Sequence, residues 1–320
     1  MRETAGRRLR SLLSHREASV VAMFLIVALY LAFANEFFLE RRNLLNVGRQ
    51  ASVVGIVALG QALVIISRGI DLSVGSLIGL SAVVAAMVQR ASGIDALSLA
   101  AGLGTGLFCG LLNGMMFVTF RINPFIATLG MLSIARGIAL LLTGGIPITY
   151  TGWSEFLGAG RIADIPVSFL LMLVLSVLVH ILASRTVRGR EIYAVGDNPK
   201  AARLAGIDIA RTRIFVFAFC GLLAGLGGIL LAGNLASADP NLGMGYELDV
   251  IAAVILGGTA LNGGRGSIFG VFVGAMLMAL LNNGFVLLGI SAYWQVVTKG
   301  LIIILAVGAD GLQRRGADDD

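Results

Sequence analysis

The apolar residues of this chain come in ten runs that no water-soluble fold could cover. They occupy residues 18–38, 52–67, 73–89, 96–119, 125–142, 166–183, 214–232, 248–260, 267–288 and 292–309. A hydrocarbon core about 30 Å thick takes about 20 helical residues at 1.5 Å each. Of 320 residues, 57% are apolar before the 43 glycines are counted, and 13% are charged. Soluble domains hold about 45–50% apolar residues with glycine included, and about 25% charged ones. These figures exclude an ordinary soluble enzyme, a disordered chain and a disulfide scaffold. The expected fold is all-α: a polytopic membrane protein with about ten transmembrane helices. The second, third and eighth runs are short and abut Gly-rich segments. Such interruptions suggest broken or re-entrant helices, which survive in a bilayer only where protein or a watery cavity satisfies the freed backbone.

Lys and Arg set the expected orientation. With the N-terminus inside, only Arg41, Arg42, Arg49, Arg90 and Arg161 of the 24 basic side chains fall in outer segments, while Arg136 and Lys299 fall within spans. Positive charge collects on the cytoplasmic side, so both termini are expected there. Arg41, Arg42 and Arg49 run against that bias around the first hairpin, near 39–50. The expected organisation is a basic cytoplasmic stretch at 1–17, one transmembrane domain at 18–310 with a cytoplasmic loop at 184–213, and a cytoplasmic tail at 311–320. Basic residues, an apolar run and Ala32-Phe33-Ala34 imitate a cleavable signal. The run exceeds the usual signal core of about 7–15 residues, so a retained first span is expected.

Glycines recur four apart at Gly75/Gly79, Gly102/Gly106/Gly110, Gly221/Gly225 and Gly266/Gly270/Gly274. This spacing lines one helix face with small residues and permits close backbone approach. Gly75–Gly79 also echoes Gly266–Gly270 faintly, each opening an apolar run. Cys109 and Cys220 lie far apart inside apolar runs and read as small buried hydrophobes. No G-x-x-x-x-G-K-[ST] phosphate loop occurs, so this chain does not bind ATP that way. No catalytic or metal-ligating constellation is expected.

Charged groups at membrane depth are costly and default to functional candidates. Arg136 lies about eleven residues into its span, either as a lock on carbonyls or as a hydroxyl-binding group on a transport path. Lys299 in the last span invites the same two readings. Asp71, within Ser67–Gly75, either caps the following helix or meets a polar solute. The amides Asn113, Asn282 and Asn283 either tie helices together or line a path. Asp71, Glu247 and Asp249 sit near span ends and no carboxylate lies mid-span. That weakens an ion-coupled carrier, which commonly uses intramembrane carboxylates. A mere membrane anchor conflicts with the broken spans and Arg136.

The loop at 184–213 contains a compact helix signal. Asp197 or Asn198 suits the N-cap, Pro199 the first turn and Gly206 the position after the end. The expected helix is Pro199–Ala205, only about two turns. A helix that short is marginal alone, so it either packs under the bundle or docks a soluble partner.

Four stretches together resemble the permease subunits of ribose-type ABC sugar importers, within the wider group that includes branched-chain amino acid permeases. They are Gly69–Gly75; Arg136-Gly137 after Ser133-Ile134-Ala135; Gly189–Asn198 continuing through Ala201–Ile207; and a C-terminal set comprising Gly245–Asp249, Gly257–Thr259, Gly263–Ser267 and Tyr293-Trp294-Gln295. The resemblance runs from about residue 40 to 310. It implies a second, identical or different, permease chain, a cytoplasmic ATP-binding subunit holding ATP and Mg2+, and a periplasmic or lipoprotein sugar-binding protein. This chain would carry no cofactor and bind no nucleic acid. Coupling to the ATPase would fall on Asp197, Asn198, Pro199, Lys200, Ala202, Arg203, Leu204 and Gly206. Asp71, Asn113, Arg136, Asn282 and Lys299 remain candidates for the translocation path. The cargo would be a monosaccharide, with a nucleoside, an autoinducer-type furanose, a sugar alcohol or a branched-chain amino acid as alternatives.

Overall fold

A computed structural model describes residues 15–318. The basic residues Arg2, Arg7, Arg8 and Arg10 and the last two positions lie outside the described residues. Thirteen helices dominate: α1 His15–Ala34, α2 Arg41–Ile66, α3 Val74–Ser92, α4 Asp95–Val118, α5 Pro124–Thr143, α6 Trp153–Ala159, α7 Val167–Arg185, α8 Val187–Asp197, α9 Pro199–Leu204, α10 Ile209–Leu235, α11 Tyr246–Leu256, α12 Ile268–Leu287 and α13 Ala292–Asp318. Eight of them, α1 to α5, α7, α10 and α12, are long and apolar enough to cross a bilayer. Two minimal ladders complete the described structure. β1 (Ile148–Thr149) pairs antiparallel with β4 (Ser237–Ala238), and β2 (Arg161–Ile162) pairs with β3 (Ile165–Pro166).

Each of the ten expected runs corresponds to one helix, but three bounds move. The second span is not short: α2 has 26 residues and begins at Arg41. Its first turns carry Asn43, Asn46, Arg49 and Gln50, so apolar counting starts too late. The third is also full length, at 19 residues. Only the eighth is short. At 11 residues α11 reaches about 16 Å, half a bilayer. The irregular segment 257–267 follows it and reaches the end of α2, where the Gly264 N–H donates to the Ile66 carbonyl. The expected tail from 311 continues α13 through Asp318.

α2 is the axis of the bundle, buried along nearly its whole length from Val47 to Ile66. A helix apolar on every side belongs inside. α7, α10, α11 and α12 pack against it, while α1, α4, α5 and the far side of α7 turn most of their surface outward. α1 lays Val20 against Val273 and Leu277 of α12, and Leu31 against Leu280.

The glycine rows explain how the inner helices approach. α4 and α10 form the most extensive helix pair. A Cβ on Gly106 would collide with the carbonyl of Gly221, and a Cβ on Gly221 with that of Gly106. Gly270 and Gly274 bring α12 equally close to Gly257 and Ala253. Gly75 and Gly79 instead face the loop before α11, against Gly243, Pro240 and Leu242. Cys109 and Cys220 are both free and buried.

Gly221→Ala therefore tests the α4–α10 seam. Forced overpacking of this kind costs about 1–3 kcal/mol, so the purified protein should unfold at lower temperature. Gly104, on the partner helix α4, is the control, because nothing lies within 4 Å of a Cβ there. Gly104→Ala should leave the midpoint unchanged or raise it.

Candidate functional site

The path candidates fall in three places. Asp71 and Asn113 form one cluster at the break between α2 and α3. Asp71 is fully buried and accepts from the Ser73 N–H at 2.8 Å and the Ser73 hydroxyl at 2.6 Å. Asn113 donates to Asp71 Oδ2 at 3.3 Å and to Ser73 Oγ at 2.9 Å. The N-cap of α3 is thus Ser73, and Asp71 holds it from two residues earlier. The Gln61 amide lies 3.2 and 3.1 Å from the Asp71 carbonyl and N–H, a reciprocal pair in the orientation that satisfies both. Thr128 of α5 accepts from the Leu72 N–H at 3.1 Å. The break is therefore sealed by side chains from three helices, as irregular backbone inside a membrane requires.

Arg136 stands apart from that cluster. It donates to the carbonyls of Pro240 and Leu242, the latter at 3.0 Å, and more distantly to Gly75 at 3.4 Å. Its contacts are those of a lock: α5 and α3 are pinned to the loop that precedes α11. Asn283 is also tied down, exchanging amide hydrogen bonds with Asn43 of α2 at 3.1 and 2.7 Å.

Lys299 and Asn282 lead to a third place. Lys299 donates to Asp249 Oδ2 at 2.8 Å, so the last helix is ion-paired to α11. Asp249 and Asn282 both line a cavity of about 320 Å³ enclosed by α2, α6, α7, α10, α11 and α12.

The coupling candidates gather at the end of the bundle where residues 66–68, 196–206 and 263–264 meet. Asn198, not Asp197, caps α9, accepting from the N–H groups of Lys200 and Ala201 at 3.0 and 3.1 Å. Pro199 occupies the first turn. The helix closes one residue early, at Leu204. Gly206, at φ +82°, donates to Arg203 and is followed by Ile207 donating to Ala202, both at 3.0 Å. That left-handed closure needs glycine. Ala202 is buried beneath the helix, whereas Leu204 is 91% exposed.

Sequence reasoning missed two parts of this end. One is α8, capped by the Thr186 hydroxyl accepting from the Gly189 N–H at 3.1 Å. The threonine three residues before a glycine-containing polar stretch was the available signal. The other is Arg68, whose φ of +66° turns the chain out of α2. Its guanidinium donates to the carbonyls of Gly196 and Asp197, each at 2.5 Å, at the C-terminal end of α8. Cation and helix end are well matched. Tyr193 of α8 donates to the Gly266 carbonyl at 2.8 Å, and burial pushes its phenol above the usual value. The hydroxyl therefore stays a donor at physiological pH.

Apolar helices around an axial helix, broken segments closed by buried polar groups, and an exposed short helix at one end define a polytopic membrane permease. Residues 43–307 match the family described as the permease component of the branched-chain amino acid transport system, and the chain belongs to that family. It is 40% identical over 300 residues to the ribose import permease protein RbsC of Escherichia coli K12, covering 92% of this chain and 93% of that one. RbsC of Bacillus subtilis 168 is 41% identical over 290 residues, 89% of each. The galactose/methyl galactoside import permease protein MglC of Salmonella typhimurium LT2 is 35% identical over 321 residues, 93% and 95% of the two chains. No solved structure matches.

Arg136→Leu should uncover the carbonyls of Pro240 and Leu242. Each orphaned buried acceptor costs about 1–3 kcal/mol, so thermal unfolding in detergent should drop sharply. Arg136→Lys, which keeps one charged donor, should recover part of the loss.

Proposed function

We propose that this chain is the membrane-spanning subunit of an ABC importer that carries a monosaccharide across the cytoplasmic membrane. The observation that carries this reading is the 40% identity to a ribose import permease, which runs through nearly the entire chain. The galactose import permease at 35% supports the same class of cargo. Ribose and galactose relatives favour a sugar over the amino acid of the family's description.

The chain itself has no phosphate loop, so the work must come from ATP and Mg2+ bound by a cytoplasmic partner. The docking element would be α9. Ala202 anchors it to the bundle, while Leu204, Lys200 and Arg203 point away. An apolar side chain exposed on a short, firmly capped helix is suited to a pocket on another protein. Asp197, Asn198, Pro199 and Gly206 hold its shape rather than make the contact. Arg68 would connect α9 to the broken segment at Asp71 through the end of α8. A binding protein would present the sugar at the opposite face, and both termini would lie in the cytoplasm. The apolar outer face of α5, with Ile126, Leu129 and Ile134 exposed, would meet lipid or a second permease chain.

Leu204→Asp tests this reading. A buried anchor of this kind contributes about 2 kcal/mol, a thirtyfold effect on docking. In proteoliposomes holding the whole assembly, the variant should insert and unfold like wild type. ATP-dependent uptake of radiolabelled D-ribose should fall at least tenfold. Wild-type uptake by the variant would remove α9 from the coupling role. Uptake by the permease without its ATPase would remove the ABC assignment.

A further inference from the structure

Among the described residues, eight buried polar atoms lack a hydrogen-bond partner. Four of the eight, Arg49 Nε, Ser168 Oγ, Asp249 Oδ1 and Asn282 Oδ1, belong to residues lining the one cavity of about 320 Å³. They come from four different helices: α2, α7, α11 and α12. Ser168 is 1% exposed and Asp249 5%. Buried polar groups are almost always paired, and at membrane depth an orphan is especially costly. Four orphans brought to one cavity from separate helices mark a place that is completed by a visitor.

The chemistry of the four selects that visitor. Arg49 offers an N–H donor, Asp249 and Asn282 offer acceptors, and Ser168 can do either. A hydroxyl group both donates and accepts, so a molecule bearing several hydroxyls can meet all four. A metal ion would face the guanidinium and find a single carboxylate. The carboxylate of an amino acid could turn to Arg49, but the charge of Asp249 is already answered by Lys299, so the ammonium group would find no free counter-charge. Lys299 holds the other oxygen of Asp249 at 2.8 Å, so Asp249 can accept without concentrating cations. Val53, Val54 and Leu230 contribute apolar wall to the same cavity, suited to the C–H face of a sugar ring. The volume lies at the small end of the ~300–1,000 Å³ usual for ligand pockets.

We propose that this cavity is a binding site within the permease for a neutral polyol, which the cargo occupies during passage through this chain. The proposal deepens the sugar-import reading and rests on it. Two measurements on the reconstituted assembly separate the two. In the first, Ser168→Ala and Asn282→Leu are compared with wild type for uptake of D-ribose below saturation. Loss of one hydroxyl contact should slow uptake about three- to tenfold, with thermal unfolding unchanged. Wild-type uptake by both variants would overturn the site and leave the import reading standing. In the second, Ser168→Cys, or Asn282→Cys should the first not fold, is alkylated with N-ethylmaleimide. D-ribose or ribitol should slow the labelling, and L-leucine should not. Labelling indifferent to both polyols would overturn the site even if wild type imports sugar. If wild type takes up no monosaccharide, the import reading fails, and the labelling experiment alone then decides whether a polyol enters this cavity.

Discussion

The carbonyl of Ile66 is the point on which the architecture turns. There α2 stops being helical while still buried, and a carbonyl in that position must find a donor within the protein. The Gly264 N–H supplies one at 2.8 Å. Gly196 passes so close that any side chain there would strike the same oxygen. Arg68, two residues on, reaches the carbonyls of Gly196 and Asp197. Three segments far apart in sequence thereby share one junction: the end of α2, the end of α8 and the irregular segment after α11. α9 begins immediately beyond it. A displacement of α9 must either carry the broken segment with it or rupture two charge-assisted hydrogen bonds, so the stiffness of this junction links the exposed helix to the bundle interior.

The spans were legible because a bilayer imposes length and apolarity together, and ten runs met both demands to some degree. Which helices lie inside was not. Lipid is as apolar as a protein core, so Phe125 on the outward face of α5 and Leu63 on buried α2 look alike in sequence. The distinguishing marks are small and polar residues, as with Gly48, Ser52, Gly55, Gly60 and Gln61 along α2. Its true beginning was hidden for the same reason: Asn46, Arg49 and Gln50 are polar because they face a polar cavity, and they read as loop when every span is assumed to face lipid. The α9 helix was legible almost to the residue, since Asn198, Pro199 and Gly206 each solve a local problem that needs no knowledge of the fold. α8 lacked such strong punctuation, and Arg68 lies next to a glycine in a segment that advertises only a turn.

Charged groups at depth all looked alike as candidates, and partner satisfaction now separates them. Asp71 holds four donor contacts from Ser73 and Asn113, and Arg136 reaches three carbonyls. Such groups hold irregular backbone in place, and a passing solute would have to break what they already make. Arg49, Ser168, Asp249 and Asn282 are the reverse case. Each retains an unused atom where an apolar residue would have been cheaper.

That contrast also explains how one chain can combine tightness with passage. A conduit must exclude water and ions when empty, so its breaks have to be closed by strong internal bonds. It must also release its cargo, so the groups that meet cargo cannot be many or strongly charged. Pairing Asp249 with Lys299 meets the second demand: the carboxylate keeps an acceptor oxygen but loses most of its pull on cations, and a neutral solute held by a few ordinary hydrogen bonds can leave as readily as it enters. Fully satisfied polar groups at Asp71 and Arg136 meet the first. Placing the two kinds of group on different segments lets the junction at Ile66 stay rigid while the cavity between α2, α7, α11 and α12 fills and empties.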